Sequence, residues 1–445
     1  MNYKQIKSEL EKLSQLSIKE IKEMQLRKLK ERLNYHSQNN EWYKKYLEEH
    51  NLDISRIKSL EDLSLIPILE KEHIINNFPF SSVPEDKILR FYQTSGTTGN
   101  PKLIPYNRHD IDRSAQLKAR GLIFGGVKKG DKGIIIMAYG PWASGLMSQQ
   151  AGEYIGLTIA GDAKLAEDGE WHPWALKKYS PDYLISQPSF LVRLEEMCNK
   201  KGIEISESSM SHLFVCGDMS SKSFKKEFGK RYNSKIIDLY CCSEFGCISA
   251  ECKSGNLHYW ADELIIEIIN PKTKERLPCG EIGEVVVTGL YKETPPLIRY
   301  NTHDLSLLLD SKCECGKDIP AISQILGRGD SMVSIAGANV YPIQIEDAIN
   351  KIPELTNIYR FNIVKENYKD KIILEVEVKK NHYKDSQNLK RMVYNNIISI
   401  APELNYVINQ SLTASQPEII LLKEGNIPER KGKIKRIFDK RNGNV

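Results

Sequence analysis

The chain has 445 residues, of which 40% are hydrophobic and 27% are charged, and its formal net charge is +5. This length predicts two or three domains, and this composition excludes a disordered chain. The small net charge gives no argument for binding nucleic acid. No apolar run approaches the roughly 18 residues that a membrane-spanning helix needs, so nothing in the sequence indicates a membrane protein.

The N-terminal region, residues 1–50, has the spacing of amphipathic helices and no candidate for chemistry. It is charged and lacks the apolar segment of a signal peptide, so we expect a cytoplasmic protein. The nine cysteines of such a protein are expected to be reduced, and some of them to bind metal.

A stretch rich in glycine and hydroxyl side chains follows a short strand at Phe91 and Tyr92. Its backbone N–H groups, its hydroxyls and one lysine can bind an anion, and a polyphosphate fits them. The spacing differs from the common P-loop, and the alternative is a surface loop. The candidate ATP-binding residues are Thr94, Ser95, Gly96, Thr97, Thr98, Gly99 and Lys102.

Short apolar runs alternate with helical stretches from about residue 103 to 290, as in 133–138, 183–185, 213–215 and 236–239. Such runs predict buried parallel strands with helices on both faces of the sheet. Ligands of these sheets bind at the carboxyl ends of the strands. The ligand-pocket candidates near these ends are Tyr139, Trp142, Gly145, Phe190, Cys216 and Gly217.

The pattern changes after residue 264, where 264–269, 284–288 and 305–309 predict hairpin strands. A glycine-bracketed turn at Gly327–Asp330 then leads into a smaller α+β segment. We therefore predict an α/β protein with parallel-rich sheets and a β-rich subdomain in residues 1–328, and a small α+β domain in residues 329–445.

Five ordered motifs give the chain a resemblance to the adenylate-forming enzymes, the superfamily of acyl-CoA synthetases, adenylation domains and luciferases. They are Ser-Gly-Thr-Thr-Gly-x-Pro-Lys from Ser95, Tyr240–Glu244, Arg299–Asp304, Gly327–Met332 and Pro428–Lys433. Within the superfamily, Arg-Tyr-x-Thr-x-Asp-Leu and Asn-Val-Tyr-Pro-x-Gln-Ile-Glu resemble phenylacetate–CoA ligase. Cys241 stands where the family usually has Gly, and His303 where it has Gly or Arg.

The resemblance implies two half-reactions, in which a carboxylate attacks ATP to form an acyl-adenylate and a thiol then attacks the adenylate. It implies that the small domain is a mobile lid with Asp330 as the hinge, and that Lys433 and Glu244 are catalytic, with Glu244 also holding Mg²⁺. Lys433 alone would be interpreted as part of a basic, solvated tail. The resemblance also makes the pocket at the strand ends an acyl pocket, and it assigns Tyr240 to the adenine and Asp304 to the ribose of the nucleotide. The further ATP- or AMP-binding candidates are Asp218, Tyr240, Cys241, Cys242, Ser243, Asp304 and Arg328.

Three cysteines and one histidine form a candidate zinc site. Cys313 and Cys315 are a Cys-x-Cys pair before Gly316, and Cys252 and His258 lie upstream. Four such ligands suit a closed tetrahedral structural site without catalytic water. The alternative is reduced cysteines and an unrelated surface histidine.

Three functions stay open at this point. The first is ligation of an aromatic acid to coenzyme A, which the aromatic candidates favour. The second is loading of an aryl or amino acid onto the phosphopantetheine of a carrier protein, where Asp218 or Asp162 would hold an amino group. The third is a nucleotide-binding scaffold without turnover, against which the intact Glu244, Asp304 and Lys433 argue. The acid and the oligomeric state stay open, and a homodimer is one option.

Overall fold

The computed structural model describes residues 1–94, 101–162, 170–218, 220–309, 313–329, 332–335, 338–366, 369–383, 387–399, 402–410, 414–427 and 436–441. The chain divides into two compact units, the first formed by residues 1–218 and 228–325 and the second by residues 219–227 and 326–445. The functional boundary after residue 328 stays a prediction. Within the described ranges, no helix is both long enough and apolar enough to cross a membrane.

The first unit begins with helices whose ends are capped by side chains. Asn2 and Gln5 form a reciprocal capping box before α1, and Ser17 and Glu20 form one before α2. The helices along residues 1–231 are α1 (Tyr3–Leu13), α2 (Ile18–Asn39), α3 (Glu41–Glu49), α4 (Lys71–Asn76), α5 (Arg108–Gly125), α6 (Ala143–Glu153), α7 (Trp171–Tyr179), α8 (Pro188–Lys200) and α9 (Lys222–Arg231). Short 3₁₀ helices span Ile54–Arg56, Leu60–Leu65, Glu85–Lys87 and Ile205–Glu207.

The strands of the first unit form one large sheet and two smaller groups. They are β1 (Arg90–Gln93), β2 (Leu103–Tyr106), β3 (Gly133–Met137), β4 (Thr158–Asp162), β5 (Tyr183–Ser186), β6 (His212–Val215), β7 (Lys235–Cys242), β8 (Gly246–Glu251), β9 (Leu257–Tyr259), β10 (Leu264–Ile269), β11 (Gly283–Gly289), β12 (Tyr300–Ser306) and β13 (Ala321–Ile322).

The large sheet has the strand order β13-β9-β8-β7-β6-β5-β3-β4. Strands β7, β6, β5, β3 and β4 pair in parallel, and β8, β9 and β13 extend the sheet in antiparallel fashion. Every residue of β3 and β5 is buried, which is why their sequences are continuous apolar runs. The predicted α/β fold with a parallel-rich sheet is confirmed.

The β-rich part of the first unit consists of β10, β11 and β12, which pair in that order in antiparallel fashion. The predicted strand at 264–269 agrees with β10. The strand predicted at 305–309 is wrong in its position, since β12 covers Tyr300–Ser306 and contains the polar motif. A bulge disturbs the alternation of this strand, so its periodicity does not show in the sequence.

The second unit has the α+β character that the sequence predicts. Its four-stranded sheet has the order β19-β18-β17-β20, with a separate hairpin of β15 and β16. Its elements are β14 (Gly327–Arg328), β15 (Val333–Ile335), β16 (Ala338–Val340), α10 (Pro342–Asn350), β17 (Leu355–Glu366), β18 (Lys369–Val378), a 3₁₀ helix (Lys380–His382), α11 (Gln387–Ile398), α12 (Pro402–Gln410), β19 (Glu418–Lys423) and β20 (Ile437–Asp439).

Candidate functional site

The candidate ATP loop connects the two strands of the β1–β2 hairpin. The N–H of Thr94 donates to the Lys102 carbonyl at 3.1 Å, and the N–H of Lys102 donates to Thr94 Oγ1 at 3.2 Å. These two bonds join the two ends of the loop and hold the backbone of Lys102 in place. The predicted ATP-binding residues Ser95, Gly96, Thr97, Thr98 and Gly99 lie outside the described residues.

A buried ion pair joins this loop to the turn between β7 and β8. Lys102 Nζ contacts Glu244 Oε1 and donates to the Tyr300 hydroxyl at 2.6 Å. The Tyr300 hydroxyl in turn donates to Glu244 Oε1 at 3.0 Å. Burial by itself raises the pKa of Glu244, but the charge and the hydrogen bond of Lys102 outweigh burial and leave this pKa below its ordinary value. Glu244 is therefore a carboxylate anion at neutral pH.

Two buried tyrosines hold the backbone of the turn that carries Glu244. The Tyr106 hydroxyl donates to the carbonyl of Ser243 at 2.9 Å, and the Tyr291 hydroxyl donates to the carbonyl of Phe245 at 2.7 Å. Cys242 pairs with Gly246 across the hairpin, so the turn has three residues. The backbone carbonyls on both sides of Glu244 thus accept hydrogen bonds from buried tyrosines, and these bonds hold the turn that carries its side chain.

A buried lysine lies beneath one of these tyrosines. Lys292 Nζ is 3.4 Å from the centroid of the Tyr106 ring and 3.4 Å from Asp110 Oδ2. Burial lowers the pKa of Lys292 to about 8, although Asp110 opposes this shift. The sequence analysis did not identify Lys292 or Tyr106, because neither belongs to a motif that the residues alone reveal.

The adenine and ribose candidates are bonded to each other. The Tyr240 hydroxyl donates to Asp304 Oδ2 at 2.7 Å and lies 3.2 Å from Thr302 Oγ1. The Asp304 N–H donates to Thr302 Oγ1 at 3.2 Å. Together with the bond between Tyr300 and Glu244, this contact links β7 and its turn to β12 at two points. The structure therefore brings four predicted residues, Lys102, Tyr240, Glu244 and Asp304, into one site.

The cysteines near this site, of which Cys216 is buried and Cys241 and Cys242 are half-buried, are not activated nucleophiles. A hydrogen bond with Cys241 and burial raise the pKa of Cys216 well above its ordinary value. Burial also raises the pKa of Cys242. Lys118 Nζ lies 3.7 Å from Cys216 Sγ. These residues lie at the ends of β6 and β7. The sequence analysis predicted that Cys241 and Cys242 bind the nucleotide there.

The aromatic acyl-pocket candidates follow the end of β3. Tyr139 and Trp142 are both half-buried. Gly145 is required by the packing, because a Cβ there would lie 2.8 Å from the Tyr139 ring and 2.7 Å from the carbonyl of Ala138. Gly145 therefore lets Tyr139 lie against α6.

The remaining acyl and nucleotide candidates of the first unit lie near the ends of β5, β6 and β4. Phe190 is in α8, and its ring is 5.2 Å from the His172 ring, so it is part of the packing there. Gly217 follows β6 with a φ of 85°, and Asp218 comes next and is exposed. Asp162 is the last residue of β4. All follow strands of the parallel sheet, as the rule for such sheets predicts.

The C-terminal candidates belong to the second unit. Arg328 is exposed and forms part of β14. The proposed hinge Asp330 and the proposed catalytic Lys433 lie outside the described residues. Their roles stay predictions.

The three cysteines and the histidine of the zinc prediction come together. Their ligand atoms all lie within 4.8 Å of one another. Cys252 Sγ is 3.6 Å from Cys313 Sγ, and Cys315 Sγ is 3.3 Å from His258 Nε2. His258 Nδ1 lies 2.7 Å from the carbonyl of Ile319, to which it can donate a proton. This bond leaves the Nε2 lone pair for a metal, so the donor set fits tetrahedral Zn²⁺.

Two family profiles match the chain. The profile described as "AMP-binding enzyme" matches residues 6–291, and the profile described as "AMP-binding enzyme C-terminal domain" matches residues 337–441. The described strands β7 and β12 that build the site lie within or just after the first match.

Similar proteins include several phenylacetate-coenzyme A ligases. The protein of Thermus thermophilus is 28% identical over 97% of this chain and 99% of its own length. The protein of Aromatoleum evansii is 30% identical over 83% of this chain and 84% of its own length. The protein of Escherichia coli is 28% identical over 98% of both chains.

Solved structures share the fold. The crystal structure of 2-hydroxyisobutyryl-CoA ligase with 2-HIB-AMP has a TM-score of 0.79 at 23% identity, covering 94% of this chain and 89% of that chain. An anthranilate CoA ligase with anthranoyl-AMP has a TM-score of 0.55 at 17% identity, covering 76% and 63%.

Proposed function

Because the chain belongs to the AMP-binding enzymes, in the phenylacetate-CoA ligase-like branch of AMP-forming acid–CoA ligases, we propose that it activates a small aromatic carboxylic acid with ATP and transfers the acyl group to the thiol of coenzyme A. The observation that carries the proposal is the double link between β7 and β12, in which Glu244 bonds Tyr300 and Tyr240 bonds Asp304. In this proposal Glu244 would bind the metal and Asp304 would bind the ribose, and the two bonds support it by tying both residues to the same pair of strands.

In the first half-reaction, a carboxylate oxygen of the acid attacks the α-phosphorus of ATP. The bond from this phosphorus to the bridging oxygen breaks, and pyrophosphate leaves. Lys102, at the base of the loop, would neutralise phosphate charge, and Glu244 would supply a hard oxygen ligand of the kind that Mg²⁺ prefers. When bound, Mg²⁺ would neutralise charge on the leaving pyrophosphate.

Lys102 also keeps Glu244 in the ionised form that would bind a metal. The buried carboxylate would tend to take up a proton, and the ammonium group beside it prevents this. Glu244 therefore accepts a cation without first losing a proton. Asp304 would accept hydrogen bonds from the ribose hydroxyls, while Tyr240 holds its Oδ2 in place.

In the second half-reaction, the sulfur of the thiol attacks the carbonyl carbon of the acyl-adenylate, and AMP leaves. We propose that Lys433 stabilises the charge that develops in the first step, and that rotation about Asp330 admits the thiol for the second. Arg328 would bind near the sugar and phosphate with its planar guanidinium.

The preference for an aromatic acid rests on the residues after β3. Tyr139 and Trp142 offer flat faces near the carboxyl end of the strand, and Gly145 leaves Tyr139 room against α6. An amino acid or an aminoaryl acid would need an anionic partner such as Asp218. Carrier-protein phosphopantetheine is the alternative acceptor.

We further propose that Cys252, His258, Cys313 and Cys315 hold a structural Zn²⁺. The metal would join the β8–β9 hairpin to the segment that leads into β13. All four ligand positions would come from side chains, which is typical of a structural and not of a catalytic site.

The test is exchange of labelled pyrophosphate into ATP across a panel of aromatic, aliphatic and amino acids, followed by addition of CoA or a carrier protein. We expect exchange with an aromatic acid and thioester with CoA. Glu244→Gln and Lys433→Ala should lower exchange by about 100-fold or more, as removal of a preorganised charge does, while the exposed Lys440→Ala should not.

Three results would contradict the proposal. Thioester on a carrier protein but not on CoA would favour the loading function. ATP binding without exchange for any acid would favour a scaffold. A Lys433→Ala chain that still forms adenylate but no thioester would refute the role given to Lys433.

A further inference from the structure

His303 stands at the centre of a group of charges that carries no assigned role. It precedes Asp304 in β12, where the register against β11 shifts between Glu284 and Val286. Between these pairs the single residue Val285 of β11 lies opposite three residues of β12, 302–304, so β12 bulges. His303 has a φ of 60°, a left-handed conformation that is uncommon outside glycine. A bulge of this kind redirects the side chain next to it, which is Asp304.

Both ring nitrogens of His303 face carboxylates from other elements. Nδ1 lies 3.0 Å from Glu284 Oε1 on β11, and Nε2 lies 2.8 Å from Glu70 Oε2, just before α4. A neutral imidazole carries one N–H and would turn its bare nitrogen toward one of these acceptors, so the two short contacts favour protonation of both nitrogens.

Lys274 and Asn301 join Glu70 and Glu284 in a clamp of charged and polar groups around His303. Lys274 Nζ is 2.8 Å from Glu284 Oε2 and 3.8 Å from Glu70 Oε1, so two cations balance two carboxylates. Asn301 Nδ2 donates to Glu284 Oε2 at 2.9 Å, and Asn301 Oδ1 accepts the N–H of His303 at 3.0 Å. The bulge is therefore held from both sides as well as within the strand.

We propose that His303 is a positioning residue for nucleotide binding, whose imidazolium, held between Glu70 and Glu284, fixes the bulge that directs Asp304 toward the ribose. The inference rests on the proposed function, because the ribose contact of Asp304 is part of it. His303 would act through Asp304 and would not touch the nucleotide itself.

The clamp has a consequence for pH. The hydrogen bonds to Glu284 and Glu70 raise the pKa of His303 to about 9, although burial opposes them. Because this folded-state pKa lies above the ordinary value of 6.5, the stabilisation that the charged imidazolium gives the clamp is fully present below pH 6.5 and is lost as the pH rises through about 9. Affinity for ATP should fall in the same range.

The experiment compares wild type, His303→Gln and His303→Arg. Arg keeps the positive charge at all pH values used and is one of the residues that the family usually has here. Isothermal titration of ATP and the KM for ATP in pyrophosphate exchange are measured from pH 7 to pH 10. Thermal unfolding of each chain and the variant His50→Gln, a histidine on α3's end, serve as controls.

We expect His303→Gln to raise the Kd and KM for ATP about tenfold at pH 7.5, the size expected for one lost charged hydrogen bond, with kcat within about twofold. The wild-type KM should rise through pH 9, and that of His303→Arg should stay flat.

Two results would overturn the inference alone: ATP affinity in His303→Gln equal to that of wild type, or an alkaline rise of the KM that is the same in His303→Arg. A wild-type chain that bound no ATP would refute the proposed function and this inference together. If His303→Gln did not fold, the pH profiles of wild type and His303→Arg would decide.

Discussion

Replacing Lys102 by Met would leave a buried carboxylate without its cation. Glu244 is only 5% exposed and Lys102 only 15%, so water screens neither charge well. Met is close to Lys in length and keeps the packing of the aliphatic stem. The variant therefore removes the charge and one hydrogen-bond donor, and little else.

The magnitude follows from what remains around Glu244. Removing one partner of a buried ion pair costs about 3–5 kcal/mol of unfolding free energy. The Tyr300 hydroxyl still donates to Glu244 Oε1 at 3.0 Å, so we expect the lower end, about 3 kcal/mol at pH 8.

The pH dependence has a definite sign. In wild type the pKa of Glu244 lies below its ordinary value of 4.5, so the stability it contributes is present above pH 4.5 and is lost as the pH falls through the folded-state pKa. In Lys102→Met only the hydrogen bonds from the Tyr300 hydroxyl and the backbone still oppose burial, and we expect burial to raise this pKa above 4.5, so that the folded state binds a proton more tightly than the unfolded state. The stability gap to wild type should then be large at pH 8 and small at pH 5.

Urea unfolding at pH 5 and pH 8, followed by tryptophan fluorescence, measures this gap. The double variant Lys102→Met with Glu244→Gln should recover most of the loss, because a neutral amide is cheaper to bury than an unpaired carboxylate. Lys19→Met, which breaks an exposed ion pair at 3.9 Å, is the matched control and should change little. An unchanged urea midpoint for Lys102→Met at pH 8, or a gap as large at pH 5 as at pH 8, would refute the reasoning.

Two further predictions concern stability. Cys315→Ser should lower bound zinc from one ion per chain to a small fraction and lower the melting temperature, while the exposed Cys279→Ser should do neither; zinc-free wild-type protein would contradict the site. Arg120→Met should lower the unfolding free energy by about 2–3 kcal/mol, since its buried guanidinium binds Asp262 Oδ1 at 2.7 Å and Glu9 at 2.7 Å. The exposed Arg27→Met should cost under about 0.5 kcal/mol, and equal urea midpoints for both variants would contradict the prediction.

Several features could be predicted from the sequence because they depend on neighbouring residues. The apolar run 133–137 is a strand buried on both faces, and such burial favours apolar residues along the whole strand. The candidate zinc ligands could be proposed from the sequence because three cysteine thiolates and one imidazole suit a tetrahedral metal site. The motifs around Glu244 and Asp304 indicated the site because they resemble those of the adenylate-forming family and occur in the same order along the chain.

Other features depend on contacts between residues that are far apart in the chain. Glu244 meets Lys102 across 142 positions, and no local pattern records that pairing. Lys292 lies under Tyr106 in the interior, where a lysine is not expected from composition.

His303 shows the division most clearly. The sequence marks it as unusual for its motif, and its chemistry allows two donors only when it is charged. That it does face two carboxylates was decided by the fold, which brings Glu70 and Glu284 from separate elements to the bulge of β12. Residue types and local spacing thus determined the class of fold and the kind of chemistry, whereas the charge states and directions of the site's side chains were decided by burial and by partners that only the tertiary structure supplies.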